Sequence, residues 1–199
     1  MAPRGLAVPP PKEARILQKL NLSLEMIAPT VWKKCRVWMT SLDHFTVLGE
    51  GFIKLSFDGA SKGNPWPVGL GGLFRDSQAN TRLIYADSCG FASNNEVEFA
   101  AAKQGVQIVV RVGYPNVVVE GNSSLFINTL TKLNHGSQWD NLNHSKRIVR
   151  LIQAIRELIH KFDYIMVNHV KGEWNKGADF LANWGCNHQN VPMEKLWLV

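Results

Sequence analysis

Three acids and one asparagine fall where an α/β chain gathers side chains: Asp58, Glu98, Asn122 and Asp179. Asp58 ends the first predicted strand and Asn122 follows the fourth; Glu98 lies one turn into the first predicted helix, and Asp179 in the first turn of the last. If strands one and four are neighbours, as crossover units usually make them, their ends lie about 4.8 Å apart. The two helix starts then cover the same edge. Carboxylates gathered in a partly desolvated cleft repel one another, and a hard divalent cation relieves that repulsion. Mg2+ is the natural candidate and Mn2+ an alternative. Two such ions about 4 Å apart would hold a phosphodiester, one serving the attacking water and the other the leaving oxygen.

The elements that must position these residues follow from periodicity. Ile53–Phe57 alternates before Asp58-Gly59, and Gly69–Phe74 and Leu83–Ala86 follow as strands between Gly, Pro, Asn and Asp turns, an antiparallel meander. Glu96–Val112 takes helical spacing and stops at Gly113 before Pro115. Val117–Glu120 is a compact apolar run suited to a central parallel strand. Ser123–Leu133 reads as a helix. Ser145–Lys161 is the clearest amphipathic helix, with Ile148, Leu151, Ile152, Ile155, Leu158 and Ile159 on one side and Lys146, Arg147, Arg150 and Arg156 on the other. Tyr164–Val170 is a fifth strand and Lys176–Cys186 a final helix. The sum is an α/β domain with later strands joined by right-handed crossovers.

The chain has 199 residues, enough for one domain and an appendage. The hydrophobic share of 45% with 19% charged residues excludes a wholly disordered chain. No window has the roughly 18 apolar residues of a membrane span, and residues 1–50 lack the charged-then-apolar pattern of a secretory signal, so a secreted protein is not expected. Three cysteines without C-x-x-C spacing make neither a disulfide framework nor a structural zinc site. A reducing, intracellular location is expected, nucleus or cytoplasm. The net charge of +6 favours a polyanionic partner. Residues 1–50 hold the Pro9–Pro11 run and seven basic residues against four acidic ones; they read as a basic, partly disordered tail, with a short helix over Glu13–Glu25. The domain is expected over 51–187 and a C-terminal tail over 188–199.

Four blocks carry a resemblance. They are Phe57-Asp58-Gly59-Ala60-Ser61-Lys62-Gly63-Asn64-Pro65, Ser93-Asn94-Asn95-Glu96-Val97-Glu98, Val119-Glu120-Gly121-Asn122-Ser123-Ser124, and the run from His169 through Gly172-Glu173-Trp174-Asn175 to Asp179 and Asn183. In this order they resemble the type 1 ribonuclease H family, and within it the plant group found at the end of non-LTR retroelement polyproteins. The resemblance implies a ribonuclease H-like fold, a five-stranded mixed sheet of three antiparallel then parallel strands flanked by helices. It implies endonucleolytic cleavage of the RNA strand of RNA–DNA hybrids by a monomer using two Mg2+ ions. By resemblance, Asp58 is the shared metal ligand, Glu98 a ligand near the scissile phosphate and Asp179 the ligand on the nucleophile side. Gly59, Ala60, Ser61, Asn64, Asn94 and Asn95 match the family's readers of the hybrid's minor groove, where the 2′-hydroxyl marks RNA.

One catalytic position departs from the pattern. The family has aspartate where this chain has Asn122, so the site loses an anion and the leaving-group metal should bind more weakly. Glu120, two residues earlier on the same strand face and about 6.6 Å away, is a weak substitute. The family's mobile histidine also has no counterpart between Val170 and Asp179. Duller accounts exist for each residue: a strand-ending turn at Asp58-Gly59, helix-dipole acids at Glu98 and Asp179, and an N-cap at Asn122. Two functional readings follow, a slow metal-dependent hybrid nuclease and a catalytically degenerate, retroelement-derived nucleic-acid-binding module.

Overall fold

The computed structural model describes residues 51–63, 67–134 and 144–188. Asn64, the tail helix over 13–25 and both expected tails beyond His188 and before Gly51 lie outside the described residues. The described chain runs β1 (Phe52–Ser61), β2 (Pro67–Arg75), β3 (Thr81–Phe91), α1 (Asn94–Val112), β4 (Asn116–Gly121), α2 (Ser124–Asn134), α3 (Lys146–Ile159), β5 (Tyr164–His169), a 3-10 turn (Gly172–Trp174) and α4 (Lys176–Asn187).

The five strands form one sheet in the order β3-β2-β1-β4-β5. The β1–β2 and β2–β3 pairs are antiparallel, whereas β1–β4 and β4–β5 are parallel. The meander and the crossovers therefore meet at β1, which has an antiparallel neighbour on one side and a parallel one on the other. Strand alternation sorts β1 onto two faces. Ile53, Leu55 and Phe57 enter the large core with Val117 and Val119 of β4 and the apolar sides of α1, α2 and α3. Lys54, Ser56 and Asp58 take the opposite face, where Leu181 of α4 packs with Leu73, Ile84 and Ala86.

Two local devices fix the ends that matter here. Ser93 and Glu96 form a capping box at the start of α1, Ser93 Oγ accepting from the Glu96 amide at 3.4 Å and Glu96 Oε2 accepting from the Ser93 amide at 3.0 Å. Close approach requires a glycine at 71, because a Cβ there would collide with the backbone of Leu181 and Ala182. Its absence lets α4 lie directly on β2.

Within the described residues the expected strands and helices form, with two instructive differences. Asp58 does not end a strand; β1 continues to Ser61, because residues through Ser61 pair with β2 out to Val68. The third strand is 11 residues long rather than the short segment expected, extended through polar Asp87, Ser88 and Cys89 by pairing with β2.

Candidate active site

Asp58 is a buried carboxylate at 5% exposure, set in the middle of the sheet. Its Oδ1 accepts from the Gly59 amide at 2.9 Å. Gly59 is half-buried, and a Cβ there would stand 2.8 Å from the Glu98 amide nitrogen. Only glycine lets the first turn of α1 approach β1 this closely. That approach brings the Glu98 side chain within hydrogen-bonding reach of Asp58.

Two carboxyls so placed cannot both ionise comfortably. Burial pushes Asp58 up to about 6, with the charge of Asp179 acting in the same direction and the Gly59 hydrogen bond against it. Glu98 rises further, to about 9, through burial first and then the neighbouring Asp58 charge. The pair thus retains a proton near neutrality. Glu98 Oε2 is buried and has no hydrogen-bond partner. Beneath the pair, Tyr85 donates to Ala101 O at 2.7 Å, and its phenol is held well above its ordinary pKa by burial and by both carboxylates.

Asp179 stands half-buried in the first turn of α4, where the Asn183 amide donates to its Oδ1 at 2.9 Å. It acts on Asp58 through its charge, as does Lys176 in the opposite sense. Asn122 sits half-buried just past β4, and its Oδ1 accepts from Asn175 Nδ2 at 3.3 Å. It does not cap α2; Ser123 does, its Oγ accepting from the Phe126 amide at 3.4 Å. His169 Nε2 lies 3.2 Å from both Ser124 Oγ and the Asn122 carbonyl oxygen.

Glu120 is spoken for. It forms a buried ion pair with Lys54 at 3.2 Å, so it does not replace the missing acid at 122. Of the expected nucleic-acid contacts, Gly59, Ala60 and Ser61 line the last part of β1, and Asn94 and Asn95 are exposed in the first turn of α1 beside Glu98. Sequence reasoning missed Asn175, which is 2% exposed. An asparagine directly before a helix reads as an N-cap, yet its side chain makes no cap; Nδ2 donates instead to Phe57 O at 2.8 Å and to Asn122.

The donors at Asp58 and Glu98 are all oxygen, the set a hard divalent ion takes, and an orphaned buried carboxylate oxygen is already among them. The pair therefore fits such an ion. Among the described residues, however, no group of three or more His, Cys, Asp or Glu stands together as a ready cage. The sequence expectation of one closed cluster is met only by Asp58 and Glu98. Asp179 joins through its field and Asn122 through an uncharged amide.

A mixed five-stranded sheet with one acid inside its central strand, a second on the helix packed against that strand and a third on the helix after β5 defines a nuclease-type α/β domain. The reverse transcriptase-like family matches residues 56–185, and the chain belongs to it, as a type 1 ribonuclease H domain. A curated relative, Ribonuclease HI of Halobacterium salinarum, is 31% identical over 133 residues, 67% of this chain and 63% of its own length. The crystal structure of RNase H1 from the same archaeon is 28% identical with TM-score 0.60, over 68% of this chain and 98% of that one. LC11-RNase H1, solved in complex with an RNA/DNA hybrid, shares the fold at 23% identity and TM-score 0.58, over 68% of this chain and 96% of that one.

Proposed function

We propose that residues 51–187 form a metal-dependent endonuclease that cleaves the RNA strand of RNA–DNA hybrids, slowed by Asn122. The observation that carries this reading is the buried Asp58–Glu98 pair, an electrostatic deficit that a divalent cation would fill. Asp58 and Glu98 would hold the cation, with Asp179 close enough to act on Asp58 through its charge. When bound, Mg2+ or Mn2+ supplies Lewis acidity toward a phosphodiester and acidifies water.

The chain's own residues do the rest. Desolvation at Asp58 strengthens its attraction for a cation, and the Gly59 amide keeps one of its oxygens oriented. Asn94 and Asn95, exposed beside Glu98, offer side-chain donors and acceptors to the minor groove at the place where a 2′-hydroxyl would lie. The basic residues of α3 that are exposed, Lys146, Arg147, Arg150 and Arg156, give the DNA strand a cationic surface. No helix among the described residues is long and apolar enough to cross a membrane.

A gel assay on an end-labelled hybrid with Mg2+ or Mn2+ tests the reading. The wild type should cut slowly, Asp58→Asn should not cut, and Asn122→Asp should cut faster. Cleavage by Asn122→Asp alone would favour the second reading, a disarmed module that retains the fold and binds nucleic acid, which the neutral amide at 122 supports. Failure of every variant to cut overturns the nuclease reading.

A further inference from the structure

The orientation of the Asn122 amide is fixed by logic internal to the structure. Phe57 O is a backbone carbonyl and can only accept, so the Asn175 group 2.8 Å away must be its Nδ2. The second hydrogen of that Nδ2 reaches Asn122, which must therefore present Oδ1, at 3.3 Å. The remaining terminus of the Asn122 amide is then Nδ2, a donor. The opposite flip at Asn175 would set its oxygen against two acceptors. The chosen flip has a visible cost, since Asn175 Oδ1 is buried with no hydrogen-bond partner. Both hydrogens of this amide are evidently needed more than its oxygen.

Asn175 also reaches the third site-bearing element. Its backbone carbonyl accepts from the Asp179 amide at 3.0 Å, in the first turn of α4. One buried residue thus ties three elements, its side chain holding the residue before Asp58 and the side chain at 122, and its backbone carbonyl the helix turn carrying Asp179.

We propose that Asn175 is a positioning residue that holds the amide of Asn122 by its oxygen and so turns position 122 from a cation ligand into a hydrogen-bond donor. An aspartate in the same pose would also accept from Asn175, and would keep a second, anionic oxygen where Asn122 has Nδ2. The loss of metal affinity at 122 is then a property of the 122–175 pair rather than of one residue. This deepens the nuclease reading and rests on it for its consequence at the metal, though not for the hydrogen bond itself.

Two measurements on the full chain test it. The first is calorimetric titration with MgCl2 and with MnCl2 of four proteins: wild type, Asn122→Asp, Asn175→Ala and the double variant, each checked for folding by circular dichroism. Asn122→Asp should bind more tightly by about tenfold with Asn175 present, and most of that gain should vanish in the Asn175→Ala background. An equal gain in both backgrounds overturns the proposal. The second needs no change at 175 and no metal. In 1H–15N spectra both Asn175 side-chain amide protons should lie downfield; Asn122→Ala should move one of them upfield and leave the other, while Asn122→Asp should keep both. Movement of neither proton in Asn122→Ala refutes the positioning role. Absence of metal binding in every variant, with the amide protons behaving as stated, would sink the nuclease reading and leave the positioning role intact.

Discussion

Strand β1 carries two charged residues four positions apart on one face, Lys54 and Asp58, and the fold treats them in opposite ways. Lys54 is 3% exposed and meets Glu120 of β4 at 3.2 Å. Asp58 is nearly as buried, but the acids Glu98 and Asp179 act on it and the one cation that does so, Lys176, acts more weakly than Asp179. One end of the strand is neutralised by a partner the chain supplies. The other is left short of positive charge. Such a deficit within 15 Å or so of a completed pair cannot be a general failure of the sequence to match charges; β1 spans only about 3.3 Å per residue. The difference sets the Asp58 region apart as the place where the proposed cation would bind.

Breaking the matched end should have the largest effect. Lys54→Met leaves the Glu120 carboxylate buried without its partner, and such a loss costs about 3–5 kcal/mol of stability. Burial already draws the Lys54 ammonium below its ordinary pKa against the pull of Glu120, so the pair is held by close geometry and not by surplus Coulomb energy. Lys54→Met with Glu120→Leu should recover most of the loss, because two apolar side chains of similar volume replace both charges. Urea denaturation measures both; a double variant as unstable as the single would show that the pair does more than neutralise itself.

At the unmatched end the same kind of change should act on chemistry and not on folding. Asp58→Asn removes a charge that burial disfavours, so denaturation midpoints at pH 8 should hold or rise. Its hybrid cleavage should fall by at least about a hundredfold, the rate equivalent of losing several kcal/mol of charge stabilisation. Equal destabilisation by Lys54→Met and Asp58→Asn would erase the contrast between the two ends.

How much of this contrast could be read beforehand depends on what each residue's role requires. The order of elements was legible because alternation in 53–57 and three- and four-residue spacing in 145–161 each express one buried face. That Asp58 and Glu98 would meet was legible because an early strand and the first turn of the helix after the meander converge in an α/β chain; Asp179 reaches Asp58 only through its charge. Lys54 and Glu120 were not, since their pairing depends on the register of two strands about 65 residues apart, with Lys54 opposite Val118 and Ser56 opposite Glu120. Asn175 was quoted within the fourth block without a role of its own, because its partners Phe57 and Asn122 are distant in sequence. The end of β1 was misplaced because Asp58-Gly59 has turn chemistry, and only pairing with β2 as far as Val68 overrides it.

The pH dependence of stability sharpens the comparison. Asp58 and Glu98 have folded pKa values raised above their unfolded ones, so folding favours the protonated pair. Their contribution is complete below about pH 4, where carboxyls are protonated in both states, and it drains away as pH rises through about 6 and then about 9. Asp76 and Glu96 have the opposite sign: hydrogen bonds hold them low, and their contribution is lost as pH falls. Between about pH 5 and 9 the first pair governs, and each tenfold gain in its proton affinity is worth about 1.4 kcal/mol. Denaturation midpoints should decline across that window, and Glu98→Gln should flatten the decline. Millimolar MgCl2 should offset it at the alkaline end, because a ligand bound only by the folded chain adds stability by mass action. A decline unaffected by both Glu98→Gln and Mg2+ would place its origin elsewhere.

The smallest effect separates position from charge. Ser93 caps α1 five residues before Glu98 and carries no charge of its own, yet its capping box sets where the helix begins and hence where Glu98 stands. Ser93→Ala should cost about 1 kcal/mol, the ordinary value of such a cap. It should also lower metal affinity slightly, since the first turn of α1, which carries Glu98, lies directly against Gly59 of β1. Calorimetry on Ser93→Ala beside Ser145→Ala, which removes the cap of α3 on the other side of Glu96, distinguishes the two contributions. If both variants lose stability and only Ser93→Ala loses affinity for Mg2+, the helix start is what aims Glu98 at Asp58; equal affinities would mean that burial alone holds the two carboxyls together.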